Sequence, residues 1–265
     1  MMRKHIVNIL GIPYDDKSSF KKGAAKAPDE IRKVLHDGSS NYISETGIDI
    51  SLVLKDCGDI QTADYQQISL QISEVIDLKL PSIFLGGDHS ITYPIIQALN
   101  KEHGKFDILH FDAHADIYDE LDGDRFSHAC PFARILEDGL ANSLVSVGIR
   151  NMPKHLLDQA KKFGIEIVMM KDIANMKILN FQNPLYISID LDVLDPAFAP
   201  GVSHYEPGGL STRELINMLH QIKAPIIGAD IVELNSDRDP SGITSALAAK
   251  LLKEVVGLIV LNANF

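Results

Sequence analysis

Residues 106–116 read FDILHFDAHAD. An apolar, β-prone run ends without a break in three acidic or imidazole side chains. Extended backbone sends alternate side chains to the same side, so Asp112, His114 and Asp116 can converge while the run behind them stays in a core. Two other stretches share this form: SIFLGGDHS at 82–90 and LYISIDLD at 185–192. Each is an apolar strand whose carboxyl end carries Asp or His, and in open α/β sheets ligand sites gather outside the carboxyl ends of strands.

Working outward, β-branched runs alternate with amphipathic stretches along the chain, the pattern of a parallel sheet with helical crossovers. The expected strands are 5–12, 50–56, 82–86, 106–112, 143–149, 165–170, 185–191 and 225–232, and the expected helices 28–37, 64–79, 91–102, 131–138, 153–163, 211–222 and 242–258. Pro28, Pro131 and Pro153 suit first helical turns, and Gly139 and Gly164 suit helix stops. No internal repeat or linker divides the 265 residues, so a single domain over 1–265 is expected. The longest irregular segments, 113–127 and 193–210, are long enough to be functional loops.

Composition narrows the function. The chain has 45% hydrophobic and 23% charged residues, and no apolar run approaches a membrane span. Residues 1–16, MMRKHIVNILGIPYDD, read as a first strand rather than a signal peptide, which predicts a cytoplasmic protein. Cys57 and Cys130 offer neither a disulfide framework nor a CxxC spacing. A net charge of −11 without a basic run argues against nucleic acid as a partner. Part of that acidity has a use if the aspartates hold cations.

Asp112, His114, Asp116, Asp190 and Asp192 form five potential ligands facing one crevice, and His89, after two glycines that permit a tight turn, makes a sixth. Four carboxylates and two imidazoles without a thiolate suit Mn²⁺ better than structural Zn²⁺, although Co²⁺, Ni²⁺, Fe²⁺ and Zn²⁺ accept the same ligands. So much negative charge points to two cations about 3.5–4 Å apart. Taken singly, GGDH is also a capped turn, DAHAD a solvated strand end and DLD a weak signal. Together they would crowd four Asp against a core without counter-ions, at considerable desolvation cost. His110 shares the parity of Asp112 and reads as a residue beneath the site; Asp88 and Ser90 read as turn residues or as supports behind the ligands, and Asp195 as the start of a turn.

GGDHSITYPII, HFDAHADIY and SIDLDVLDPAFAPG resemble the three signature segments of the ureohydrolase family, which includes arginases, agmatinases, guanidinobutyrases, proclavaminate amidinohydrolases and formiminoglutamases. The resemblance runs from about residue 5 onward. It implies a three-layer α/β/α fold around a mostly parallel eight-stranded sheet, and a binuclear manganese centre that activates hydroxide to attack an amidine or guanidine carbon. By position, His89 and Asp116 would bind one metal, His114 and Asp192 the other, and Asp112 and Asp190 would bridge. His128, in SHACPF, resembles the family's proton shuttle, and Glu233, in DIVEL, its guanidinium-binding carboxylate. The resemblance also implies a homo-oligomer, a trimer or hexamer, acting on a small cationic guanidine or amidine.

Within the family SITYPI and Tyr118 look most like agmatinases, so an agmatinase-like enzyme releasing putrescine and urea from agmatine is the expectation. The acidic loop 119–124, with Asp119, Glu120, Asp122 and Asp124, would favour such a cationic tail or reads equally as a solvated acidic loop. Val202, Ser203, His204 and Tyr205 replace the Thr-Gly-Thr-Pro run usual after the third motif. His204 and Arg125 would instead suit an anionic tail, as in guanidinobutyrate or formiminoglutamate. Two other classes compete. A phosphoesterase or deacetylase is disfavoured by the absence of Asn-His-Asp and Asn-His-Glu motifs and by the number of ligands. A non-catalytic metal-binding or assembly protein would be expected to have lost ligands.

Overall fold

A computed structural model describes residues 7–61, 63–176 and 180–263. Eight strands, β1 (Val7–Gly11), β2 (Leu54–Asp59), β3 (Ser82–Leu85), β4 (Phe106–Phe111), β5 (Ala141–Ile149), β6 (Glu166–Met169), β7 (Leu185–Asp190) and β8 (Ile226–Val232), form one sheet in the order β2-β1-β3-β8-β7-β4-β5-β6. Every pairing is parallel. The α helices are α1 (Ala27–His36), α2 (Ile68–Val75), α3 (Thr92–His103), α4 (Pro131–Glu137), α5 (Lys154–Phe163), α6 (Thr212–Leu219) and α7 (Ile243–Asn262).

The central strands are buried along their whole length because helices cover both faces of the sheet. Leu109 and Phe111 of β4, Ile187 and Ile189 of β7 and Ile231 of β8 pack with Ile31 of α1, Leu215 of α6 and Leu251 of α7. On the other face Phe106, Ile108, Tyr186 and Phe84 pack with α2, α3, α4 and α5 through Ile72, Ile96, Phe132 and Leu156. Three layers result, as the family resemblance implied. Among the described residues no helix is long and apolar enough to cross a membrane.

The strand and helix expectations hold with local corrections. Residues 5 and 6 of the first expected strand lie outside the described residues. Residues 50–52, expected to start a strand, form a 3-10 turn because the Asp49 side chain accepts from the Ser51 amide, and β2 begins at Leu54. Residues 65–67, expected within a helix, are likewise a 3-10 turn, started by the Asp64 side chain on the Gln66 amide. Pro153 caps α5 in extended conformation instead of sitting inside its first turn, whereas Gly164 stops that helix in the left-handed region at φ 67°.

Two features position the site. β3 and β4 follow one another in sequence, yet β8 and β7 lie between them, so the ends of β3, β8, β7 and β4 are adjacent at the middle of the sheet. Their registers also agree: Leu85 pairs with Ile231, Ile231 with Ile189 and Ile189 with Phe111, so the chain leaves all four strands at one level. The turn after β3 passes so close to the first loop that a Cβ on Gly87 would fall on the Tyr14 carbonyl. Gly87→Ala is expected to destabilise the fold by about 2–4 kcal/mol, measured by urea unfolding. A change within about 0.5 kcal/mol would mean that this approach is not tight.

Candidate metal centre and active site

The four strand ends deliver the polar residues to one place. Asp112 and Asp116 follow β4, Asp190 ends β7 with Asp192 in the turn after it, His89 follows β3, and Glu233 follows β8. Asp116 and Glu233 both sit at positive φ, 48° and 65°, a conformation that disfavours side chains other than glycine and concentrates at functional sites. Nothing in the sequence announces these backbone angles.

The six expected ligands come together in two groups. His89 Nδ1 lies 3.0 Å from Asp116 Oδ2, 3.1 Å from Asp112 Oδ2 and 3.3 Å from Asp190 Oδ2. His114 Nδ1 lies 3.0 Å from Asp192 Oδ2 and 3.5 Å from Asp112 Oδ1. Asp112 therefore offers one oxygen to each group, as a bridging carboxylate must. Asp190 joins the first group through Oδ2, while its Oδ1 accepts from the Asp192 amide at 2.8 Å.

This donor set fits metal ions. His89 Nδ1 is buried and makes no hydrogen bond, although three carboxylate oxygens surround it. An imidazole nitrogen aimed between three carboxylates has the layout of ligands around a cation. Both groups can hold a metal ion. The electrostatics agree: burial and the neighbouring Asp192 and Asp112 push Asp190 well above the usual carboxylate range, and burial with Asp112 lifts Asp192 to about 6. Burial works against charge on His89, but Asp112, Asp116 and Asp190 raise its pKa well above the ordinary value. Without cations the cluster holds extra protons; cations would replace them.

His110 is buried where its parity placed it, with Nε2 2.8 Å from Asp112 Oδ2 and Nδ1 3.1 Å from Ser146 Oγ. It orients Asp112. Asp88 is both a turn residue and a support for the neighbouring loop. It is fully buried, caps the turn at His89 and accepts from the Lys17 amide at 2.9 Å and Ser18 Oγ at 3.3 Å. Asp195 does shape a turn, accepting from the Ala197 and Gly208 amides.

A cavity of about 200 Å³ opens onto the cluster, lined by His114, Asp116, Asp190 and Asp192 and by His128 and Glu233. His128 Nδ1 is 3.1 Å from Glu233 Oε1, which also accepts from the His89 amide at 3.0 Å. Burial lowers the pKa of His128, but the Glu233 carboxylate outweighs it and the imidazole is pushed up to about 9. Sequence reasoning did not find Ser19, whose hydroxyl is 2.8 Å from His128 Nε2 and which lines the same cavity. The segment that carries it, in the first loop, has no motif. Its place is fixed by long-range contacts of its neighbour Lys17: the Lys17 amide donates to Asp88, 71 residues away, the Lys17 carbonyl accepts from the His128 amide, and the ammonium pairs with Asp124.

The acidic loop is partly solvated and partly tied up in ion pairs. Asp119 pairs with Arg125 at 2.7 Å and Arg134 at 3.2 Å, and Asp124 pairs with Lys17 at 2.7 Å. Glu120 and Asp122 are exposed, and Leu121 is the loop residue that lines the cavity. Arg125 spends its guanidinium on Asp119 and Glu137. His204 does line the cavity, stacked on His128 with ring centroids 5.4 Å apart. Cys57 is partly buried and Cys130 buried, both as free thiols.

A parallel α/β protein that gathers two His and four Asp at its central strand ends, beside a His–Glu pair in one cavity, is built as a metal-dependent hydrolase. The model of the Arginase family matches residues 5–257. Arginase 1, mitochondrial, of Arabidopsis thaliana is 42% identical over 279 residues, covering 97% of this chain and 82% of that relative. Proclavaminate amidinohydrolase of Streptomyces clavuligerus is 30% identical over 282 residues, covering 96% and 88%. Among solved structures, an arginase from Medicago truncatula superposes with a TM-score of 0.91 at 39% identity, covering 97% of this chain and 88% of that one. A hypothetical agmatinase from Burkholderia thailandensis does so with 0.87 at 28%, covering 98% and 87%. The chain belongs to the Arginase family, whose members are hydrolases of carbon–nitrogen bonds.

Because the raised Asp190, Asp192, His89 and His114 must lose protons when a cation enters, apparent metal affinity should climb with pH through the range above about 6 set by Asp192. The rise in Tm caused by Mn²⁺ is expected to be larger near pH 8 than near pH 5.5. An equal rise at both would show that these groups do not exchange protons for metal.

Proposed function

We propose that this chain is a binuclear manganese hydrolase of a guanidino compound of the size of L-arginine, releasing urea and an amine. The observation that carries the reading is the His128–Glu233 pair set in the same cavity wall as the two ligand groups. His89, Asp112, Asp116 and Asp190 would hold one ion, and Asp112, His114 and Asp192 the other, with Asp112 shared. Such ions, when bound, supply the charge that lets water act as a nucleophile near neutral pH.

The remaining work falls to the chain. Among the described residues Glu233 Oε1 accepts from His128 and the His89 amide, so Oε2 is the acceptor left for a guanidinium N–H. His128, held as imidazolium by Glu233, keeps a proton at Nε2 for the departing amine. Ser19 accepts that Nε2–H in the free enzyme and aims it at the cavity. Turns made left-handed at Asp116 and Glu233 fix both carboxylates before substrate arrives.

Arginine is favoured over agmatine because Asp119 and Asp124 of the acidic loop are ion-paired, Glu120 and Asp122 are exposed outside the cavity lining, and the loop presents Leu121 to the cavity. The relatives named arginase point the same way. Agmatine is the second reading, supported by Tyr118, which also lines the cavity. Parallel assays of the Mn²⁺-loaded protein on arginine, agmatine, guanidinobutyrate and formiminoglutamate are expected to give urea fastest from arginine. Faster release from agmatine would transfer the assignment to it, and formamide from formiminoglutamate would overturn both.

Asp112→Ala is expected to lose turnover together with metal content, measured by elemental analysis; full activity with two metals would remove it from the bridge. His128→Asn should lower kcat about 100-fold or more with metal retained. Glu233→Gln should weaken substrate binding and also move the alkaline limb of kcat to lower pH, because the carboxylate that holds the His128 proton up to about 9 is gone. An unshifted limb would separate Glu233 from the proton donor.

A further inference from the structure

Four residues that line no part of the cavity form a buried hydrogen-bonded run behind His89. His89 Nε2, the ring nitrogen opposite the one facing the carboxylates, is 2.9 Å from Ser188 Oγ. Ser188 Oγ donates to Asp230 Oδ1 at 2.7 Å. Asp230 Oδ2 accepts from Thr92 Oγ1 and from the Tyr186 hydroxyl, each at 2.8 Å. His89, Ser188, Tyr186, Thr92 and Asp230 are all completely buried, so water cannot substitute for any of these partners. Ser188 and Asp230 are direct cross-strand partners of β7 and β8, which makes their contact a property of the register.

A proton inventory orders the run. Three hydroxyls converge on Asp230, and a carboxylate is an acceptor only. The single hydroxyl proton of Ser188 is therefore committed to Asp230, and Ser188 can meet His89 only as an acceptor of Nε2–H. With Nε2 carrying the proton, Nδ1 is the nitrogen with a lone pair to give, and it is the one set between Asp112, Asp116 and Asp190. A ligating histidine needs this kind of partner on its second nitrogen.

We propose that Asp230, acting through Ser188, is a positioning residue that fixes the Nε2 proton of His89 and keeps Nδ1 turned to the metal side. The inference rests on the reading of His89 as a metal ligand, and it places the control of that ligand off its own strand, on β8 beside β3 and on β7 next to it. The opposite arrangement, a protonated Asp230 donating to Ser188 and Ser188 to Nε2, would put the proton on Nδ1 and close the site to a cation.

Two measurements on the full chain separate these outcomes. In ¹⁵N-histidine spectra of the metal-free and Zn²⁺-loaded protein, the His89 Nε2–H signal, assigned by its loss in His89→Gln, is expected in both and slow to exchange. A bare Nε2 would overturn the proposal without any variant. In calorimetric titration with Mn²⁺, Ser188→Ala and Asp230→Asn are expected to weaken one of the two sites about 10–100-fold and leave the other unchanged. Thr92→Val, which removes a donor from Asp230 but leaves Ser188 in place, is expected to bind as the wild type does. Wild-type affinity at both sites in Ser188→Ala would sink the proposal, and if that variant fails to fold, the wild-type spectrum decides. A wild-type chain that binds no Mn²⁺ would overturn the proposed function, while the metal-free spectrum still decides the Nε2 proton.

Discussion

Four aspartates buried within a few ångströms of one another are the constraint around which this molecule is organised. Like charges in a low-dielectric setting repel strongly, and each also loses its hydration. The chain answers in three ways. Two histidines are set against the aspartates, backbone amides are turned toward them, as in the Ala113 amide on Asp192 at 3.0 Å and the His114 amide on Asp112 at 2.6 Å, and the donor atoms are grouped so that they could hold cations. The last of these would contribute most, because a divalent ion replaces repulsion by attraction at once.

Holding that arrangement needs a rigid base, and the parallel sheet supplies one. Just under the level of Asp112 and Asp190 the registers bring Ser146, His110, Ser188 and Asp230 into one row across β5, β4, β7 and β8. All four are polar and fully buried. The row touches residues of the cluster above it, His110 with Asp112 and Ser188 with His89, which follow different strands. Ser188 and Asp230 would be costly in a core without this task, since each needs partners that water cannot provide.

The cavity above shows the same economy of placement. His128 is fixed at both nitrogens, by Glu233 on one side and Ser19 on the other, and Ser19 arrives there through Asp88 and the Lys17 amide. Arg134, nearly fully buried, accounts for the acidic loop: it donates to the Asp119 and Arg125 carbonyls at 2.6 and 2.9 Å and pairs with the Asp119 side chain. Acidic residues that look in sequence like a binding surface are thereby the means of folding a loop. Charge that is already paired has little left for a substrate tail.

The sequence by itself determined most of the elements and singled out the Asp and His cluster. Period-two alternation and apolar runs mark the strands, and the Asp and His residues that end β3, β4 and β7 announce their chemistry because side-chain parity is local. Local capping is harder to read, which is why the turns at Asp49 and Asp64 replaced expected strand and helix. Only the tertiary structure decided that β8 and β7 insert between β3 and β4, which brings the motifs together and sets Glu233 beside His128. It alone decided that Asp230 stands behind His89, that Ser19 reaches His128 and that Asp119 is spent on arginines. These are contacts between residues up to 144 positions apart, as in the His89 amide on Glu233, and strand order and register create them where residue spacing along the chain carries no trace.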